Sequence, residues 1–504
     1  MDDSEPEQVK ISEDEIKAAR LAKKAAKKAA KSVQIDRQKL RLAKRPSQNT
    51  FLGQHKWLGG AVDEKTGKIY GIPSHAIEVI CISTPEPEGT ISDVDVDVDI
   101  RGSKIEQEHR IQQAEISRIP LPNQYKEGNF KWLRGIIHNG YLYGIPAWST
   151  HGVLKVRLQE KTRHTRGPRV KLLPLPHSPE YYQTTYEYQY QNEKIKRGQV
   201  EYNNIDRGRW MWHGGTIGAS PTGDAIYCVP SNAEHVLKVT LSTEAVEEIK
   251  NGPPLTTGQN KWYGGIKGKD GCIYGMPYTA TGVLRIDPHT DSVQVLGDYP
   301  SGGYKWHGGL IAHSTGVIYA FPAHSNEVLC VDTNPTNINA ESSDDNDDDD
   351  DLWRVTTIPI HRHDVDTDLP SQHYKWLGGS YGADGCIYGM PSDATSILRI
   401  DPVANVATTF GKVSDAKNKW QGGVLSRVDN CVYAVPADHD CILRIDTNPD
   451  SDTYLRIDFV GSGFQDVEDK WQGAFCGRDN KQYAIPENCD NVMVITPDKE
   501  NPSV

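Results

Sequence analysis

Four histidines, His75, His213, His307 and His324, stand at positions that recur along the chain. Imidazoles brought to one place could hold a divalent metal, but no short ligand spacing joins these four, so the sequence assigns no metal and requires no cofactor. A divalent cation remains a candidate. His361 with His363, Asp364, Asp366 and Asp368 is a second metal-like group, read as an exposed connector behind an acidic run. Asp93, Asp95, Asp97 and Asp99 would share one face of a strand, but the stretch has neither the glycine turn nor the terminal glutamate of a calcium loop. No phosphate loop, no GxGxxG after a strand, no HExxH and no GxSxG occurs.

What positions the histidines is a repeat. Trp57, Trp132, Trp212, Trp262, Trp306, Trp376, Trp420 and Trp471 each begin a unit, and a Tyr-x-x-Pro follows at Pro73, Pro146, Pro230, Pro277, Pro322, Pro391, Pro436 and Pro486. A glycine pair lies between, intact in six units and altered to Arg134-Gly135 in the second and Gly473-Ala474 in the eighth. Lysine precedes seven of the tryptophans, with Met211 the exception. The closest units are 44 to 51 residues apart, the period of a four-stranded propeller blade.

Unit six shows the blade. Its first strand runs from Trp376 through the glycine pair and turns at Ala383-Asp384-Gly385; a second strand ends at Pro391, a third at Asp401, and Asn405 to Phe410 makes a fourth. The fold class is therefore all-β, an eight-bladed propeller of four-stranded blades. Its tryptophans pack between blades rather than stack on a ligand, and its glycines let neighbouring backbones approach at the axis.

The loops after the second strand and before the first emerge on the same face. A fixed frame with variable tips is what a binding face looks like. The second residue after each proline gives His75, Trp148, Asn232, Thr279, His324, Asp393, Asp438 and Asn488; the residue after each tryptophan adds His213, Tyr263, His307, Gln421 and Gln472, with leucine at the other three.

Residues 1–36 read as a charged extension with a solvent-exposed helix outside the ring, carrying twelve basic residues and one acid between Lys17 and Arg45. Such a tail suits nuclear import or contact with a polyanion. Residues 37–497 form the propeller, closed by an N-terminal strand at about 39–44 that supplies the last blade's fourth strand; 498–504 are a tail. Insertions near 84–112, 177–209 and 333–352 interrupt the spacing. The second holds Tyr181, Tyr182, Tyr186, Tyr188 and Tyr190 and is a candidate lid; the third is an acidic run.

A net charge of -12 argues against general nucleic-acid binding by the ring. Nine cysteines with no CxxC, and no apolar signal or membrane-length segment, place the chain in the cytoplasm or nucleus, as a monomer.

The run from Gly382 to Phe410, and likewise Gly268 to Leu296, resembles the repeat of the streptogramin (virginiamycin B) lyase-like propellers: a Gly-x-Asp-Gly turn, an aromatic strand, and a strand ending in Ile-Asp-Pro. The resemblance runs through all eight units, from about Gly53 to Pro497. It implies a propeller with a ligand site on the loop face, and in the lyases a histidine, a glutamate and magnesium do the chemistry. The resulting expectation is a non-catalytic intracellular scaffold that engages a protein or small molecule over that face. The alternative is a metal-dependent lyase or lactonase-like enzyme working at the channel mouth.

Overall fold

The computed structural model describes residues 51, 53–86, 114–148, 152–159, 168–178, 181, 210–255, 259–335, 354–361, 373–464 and 466–498. The basic extension, the closing strand at 39–44, the aspartate-valine stretch, Tyr182 to Tyr190, the acidic run, His363 to Asp368 and the last residues of the tail lie outside them. The propeller lies within the unit of residues 52–504.

Each repeat tryptophan opens the innermost strand of its own antiparallel sheet. In unit six these strands are Trp376–Tyr381, Ile387–Pro391, Ile397–Asp401 and Val406–Phe410, close to the bounds read from the sequence. Seven units have four strands; among the described residues the eighth has three. The outermost strand of unit five, Val355–His361, runs parallel to that of unit six, so His361, expected in an exposed connector, is the last residue of a strand and pairs with Thr408.

The frame follows from four recurring residues. In unit six Trp376 opposes Pro391 and Gly379 opposes Gly389, so Leu377 and Gly378 together face Met390 in a β-bulge. The extra residue takes a left-handed backbone: Gly378 has φ 83°. The second glycine of the pair serves packing instead, since a Cβ on Gly379 would drive into the Phe321 ring of the preceding blade. Each tryptophan is at most 4% exposed and donates its indole N–H to a backbone carbonyl at the start of its own third strand, for example Trp376 to Ser396 at 2.9 Å. The ring lies in the joint between blades: Trp376 packs with Tyr319, Phe321, Val328 and Cys330 of unit five. The tryptophans are therefore interblade packing, and a ring of ligand-stacking indoles is ruled out by their burial.

The buried tyrosine of each Tyr-x-x-Pro finds a polar partner where the turn supplies one. Tyr274, Tyr388, Tyr433 and Tyr483 donate to Asp270, Asp384, Asp429 and Asp479 at 2.6–2.8 Å.

Closure is read from the backbone. The residue before each tryptophan donates its N–H to the residue after the preceding unit's proline: Lys131 to Ser74, Met211 to Ala147, and so on round to Lys56, which donates to Glu487 at 3.1 Å. That last bond joins unit eight to unit one, and the innermost strands of those units are neighbours.

The lysines at this position are buried, and their ammonium groups cap carbonyls. Lys419 is fully buried and donates to Ser392, Ala394 and Ala416 at 2.8–3.0 Å. Burial draws its pKa down to about 8. The unfolded chain then holds more protons than the native state between the native pKa and the ordinary lysine value, so stability rises with pH across that window. The lysine's contribution is fully present above the unfolded value and is lost as pH falls through about 8. Lys419→Met, which copies Met211 of unit three, removes this dependence. Wild type should gain roughly 2 kcal/mol on the variant between about pH 8 and about pH 10, read from paired denaturant titrations in which thiol and phenol ionisation cancel.

Candidate functional site

The loop face is built at the joints between blades, and its organising position is the residue two before each tryptophan. His55, Phe130, Trp210, Asn260, Tyr304, Tyr374, Asn418 and Asp469 all have φ between 45° and 56°. Glycine, asparagine and aspartate tolerate this left-handed backbone; phenylalanine, tryptophan and tyrosine rarely adopt it. The geometry is enforced from within the unit. Each of these residues accepts, at 2.9–3.2 Å, the N–H of the second residue after its own unit's proline.

Four joints are then tied by polar side chains. Asn232 Oδ1 accepts the N–H of Asn260, Asp393 that of Asn418, Asp438 that of Asp469, and Asn488 that of His55, all at 2.6–2.8 Å. These four sequence candidates sit on the predicted face, but one oxygen of each fastens a blade to its neighbour. Gln421 donates to Asn418 Oδ1 at 2.6 Å and extends the same network.

At the other four joints the left-handed residue is aromatic. Phe130 packs on His75 with ring centres 4.4 Å apart, Trp210 on Trp148 at 5.8 Å, and Tyr374 on His324 at 4.6 Å. Thr279 has no ring to offer, and Tyr304 stacks instead on Tyr278 at 4.6 Å. Thr279 donates its hydroxyl to Gln259. A cleft of about 610 Å³ opens at this joint, between Asn260, Thr279, Tyr304 and His324.

Nearer the axis, the bulge puts the residue after each tryptophan at the channel mouth. Leu58 and Leu133 form one apolar cluster with Phe130, Trp148 and Trp210. His213, Tyr263 and His307 follow side by side, with ring centres 3.8 Å and 4.7 Å apart. Gln472 is half-buried at the same position of unit eight. The face is thus mixed: rings line the joints of units one to three and four to six, while amides and carboxylates tie the joint of units three and four and the joints from unit six round to unit one.

The four sequence histidines do not converge. His213 and His307 share the mouth at 6.5 Å between ring centres, His75 belongs to the joint of units one and two, and His324 pairs with His373 at 3.2 Å between Nδ1 atoms. Burial pushes His75, His307 and His324 down to about 4, and His213 well below the ordinary histidine value, so all four are neutral near pH 7.

One metal-capable group is present among the described residues, and sequence reasoning missed it. His55, Asp469 and Glu487 bring one ligand atom each within 4.8 Å of one another at the closing joint. His55 Nδ1 lies 2.7 Å from Glu487 Oε1; that hydrogen bond raises the histidine's pKa, while burial raises the glutamate's. The three residues come from opposite ends of the chain, so only ring closure reveals them.

Arg134 is the other group missed. It takes the bulge position that is glycine in the seven other units, and does so with φ 61°.

No family model matches the sequence, and no curated protein does. Among solved structures the chain is similar to Sqt1 of Saccharomyces cerevisiae, at 9% identity, a TM-score of 0.50, and coverage of 89% of this chain and 98% of that one. It is also similar to a streptogramin B lyase, at 12% identity, a TM-score of 0.42, and coverage of 77% and 93%. A third is apo AztD from Citrobacter koseri, at 10% identity, a TM-score of 0.41, and coverage of 87% and 88%. At these identities the likeness is one of fold, the β-propeller.

Proposed function

We propose that this protein is a non-catalytic binding scaffold that takes a protein or small-molecule ligand on the aromatic side of its loop face. One observation carries the reading. Phe130, Trp210, Tyr304 and Tyr374 are held in a left-handed backbone that the equivalent Asn260, Asn418 and Asp469 would adopt at less cost. Strain retained at a surface of half-buried rings is a mark of recognition rather than of stability. The rings offer wide, rigid, sequence-tolerant contact area at small entropic cost, and the neutral histidines between them add hydrogen bonds without charge. All nine cysteines are unpaired, which supports a reducing, intracellular setting. No helix among the described residues is long and apolar enough to cross a membrane.

A second reading rests on His55, Asp469 and Glu487, a donor set that suits a divalent cation and would move the protein toward lyase or lactonase-like chemistry.

One experiment separates them. The purified protein is titrated with a panel of metabolites and peptides, and with magnesium, calcium and zinc, following tryptophan fluorescence and the melting temperature. For a scaffold, Tyr374→Ala and Trp210→Ala each weaken the ligand found by about tenfold or more, as expected for loss of an aromatic anchor, while Val403→Ala on an outer turn leaves it unchanged. If all three variants bind alike, the aromatic face is not the site. A metal-dependent rise in melting temperature that disappears in Glu487→Gln would favour the second reading.

A further inference from the structure

We infer that the channel mouth is a binding site for an oxyanion, the carboxylate or phosphate group of a small ligand, organised by Arg134 opposite His213 and His307. This rests on the loop-face reading and adds to it the chemistry of one ligand group.

The position of Arg134 is the first ground. At the bulge the other units have Gly59, Gly214, Gly264, Gly308, Gly378, Gly422 and Gly473, all with positive φ between 68° and 97°. Arg134 is the one bulge residue that carries a side chain. The main chain of Arg134 and its Cγ lie against Gly59 of unit one. The residue as a whole is exposed, yet the protein packed around its charged group lowers its pKa. Among the described residues no carboxylate pairs with it and no hydrogen bond is made to it. Five donors in a planar fork are thereby left without a protein partner among the described residues, an arrangement that matches a carboxylate or phosphate in two-point contact.

The second ground is independent of the arginine. His213 is 9% exposed and its Nδ1 is buried with no protein partner. A buried polar nitrogen without a partner is costly, and here it belongs to a ring packed 3.8 Å from Tyr263 at the mouth. Arg134 lies on the strand Trp132–His138, which contacts the strand Trp212–Ser220 that carries His213, and His307 follows 6.5 Å from His213 between ring centres. Neutral imidazoles there can donate N–H to an anion that the guanidinium holds, and Tyr263 offers a flat surface to whatever carries it.

Arg134→Gly is the decisive variant because it restores the glycine of the other seven blades, so the fold is not at risk. Binding of inorganic phosphate, phenyl phosphate and benzoate is measured by calorimetry on wild type and variant. Wild type should bind phenyl phosphate or benzoate, the preferred one identifying the group, and Arg134→Gly should weaken it by about tenfold or more while melting no lower than wild type. Equal binding by the two proteins, or no binding of any of the three by wild type at millimolar concentration, overturns the inference. Should these anions fail while a neutral ligand still depends on Tyr374 and Trp210, the anion site falls and the scaffold reading stands.

Discussion

Replacing Asp429 with alanine is expected to destabilise the propeller by about 3 kcal/mol, at the low end of the cost of breaking a buried ion pair from one side. Its side chain is fully buried, and Oδ2 accepts the Tyr433 hydroxyl at 2.7 Å together with Nε and Nη2 of Arg444 at 3.2 and 3.1 Å. Oδ1 takes the N–H of Cys431 at 3.3 Å. Removing the carboxylate leaves a phenol and a 4% exposed guanidinium in a space that cannot rehydrate them. The loss is not larger because Arg444 keeps a second carboxylate, Asp458, at 2.9 Å, and that residue is 34% exposed to solvent. Urea titration of the single variants against the pair Asp429→Leu with Arg444→Met checks the argument. If the cost comes from the orphaned charge, the double variant recovers most of it; if it comes from lost packing, the double variant is worse than either single one.

How much of this could be read in the sequence depends on whether a column has one residue type. The tryptophans and the tyrosine-proline signature recur in every blade, the tryptophan as a ring that fills a joint, and the turn at Gly385 recurs as a backbone with positive φ; in four blades the tyrosine hydroxyl reaches the turn aspartate. Those columns were legible, and with them the strands and the blade order. The position two before each tryptophan needs only a conformation, and that is imposed by a backbone hydrogen bond rather than by residue type. His55, Phe130, Trp210 and Asp469 have nothing in common as letters, so the column that shapes the face went unseen.

A signal was available in pairs of columns. Where the second residue after a proline is Asn or Asp, as at Asn232, Asp393, Asp438 and Asn488, the next blade answers with Asn260, Asn418, Asp469 and His55, whose backbone N–H the side chain ties. Where it is His75, Trp148, Thr279 or His324, the next blade answers with Phe130, Trp210, Tyr304 or Tyr374. Arg134 was visible as an altered glycine pair; in the structure it puts a charge at a bulge position that is otherwise glycine.

Trp376→Ala should cost about 3–5 kcal/mol, and the form of the transition matters as much as its size. The indole is fully buried between Phe321 and Val328 of unit five and Leu398 and Ile400 of its own unit, so its removal opens a cavity on both sides of a joint. It also leaves the Ser396 carbonyl without its 2.9 Å donor. In an open array of repeats such a lesion would split the melt, because each repeat touches only its neighbours and the weak joint could part first. Here the joint cannot part alone. Units five and six are also bonded at their rims, where Ile360 and His361 pair with Ala407 and Thr408, and the ring returns through Lys56 to Glu487. Opening one joint must strain or break another. The variant should therefore melt in a single transition at lower temperature, with the same midpoint by near-ultraviolet and far-ultraviolet dichroism. Two separated transitions would mean that the blades hold together only pairwise and that closure adds little to stability.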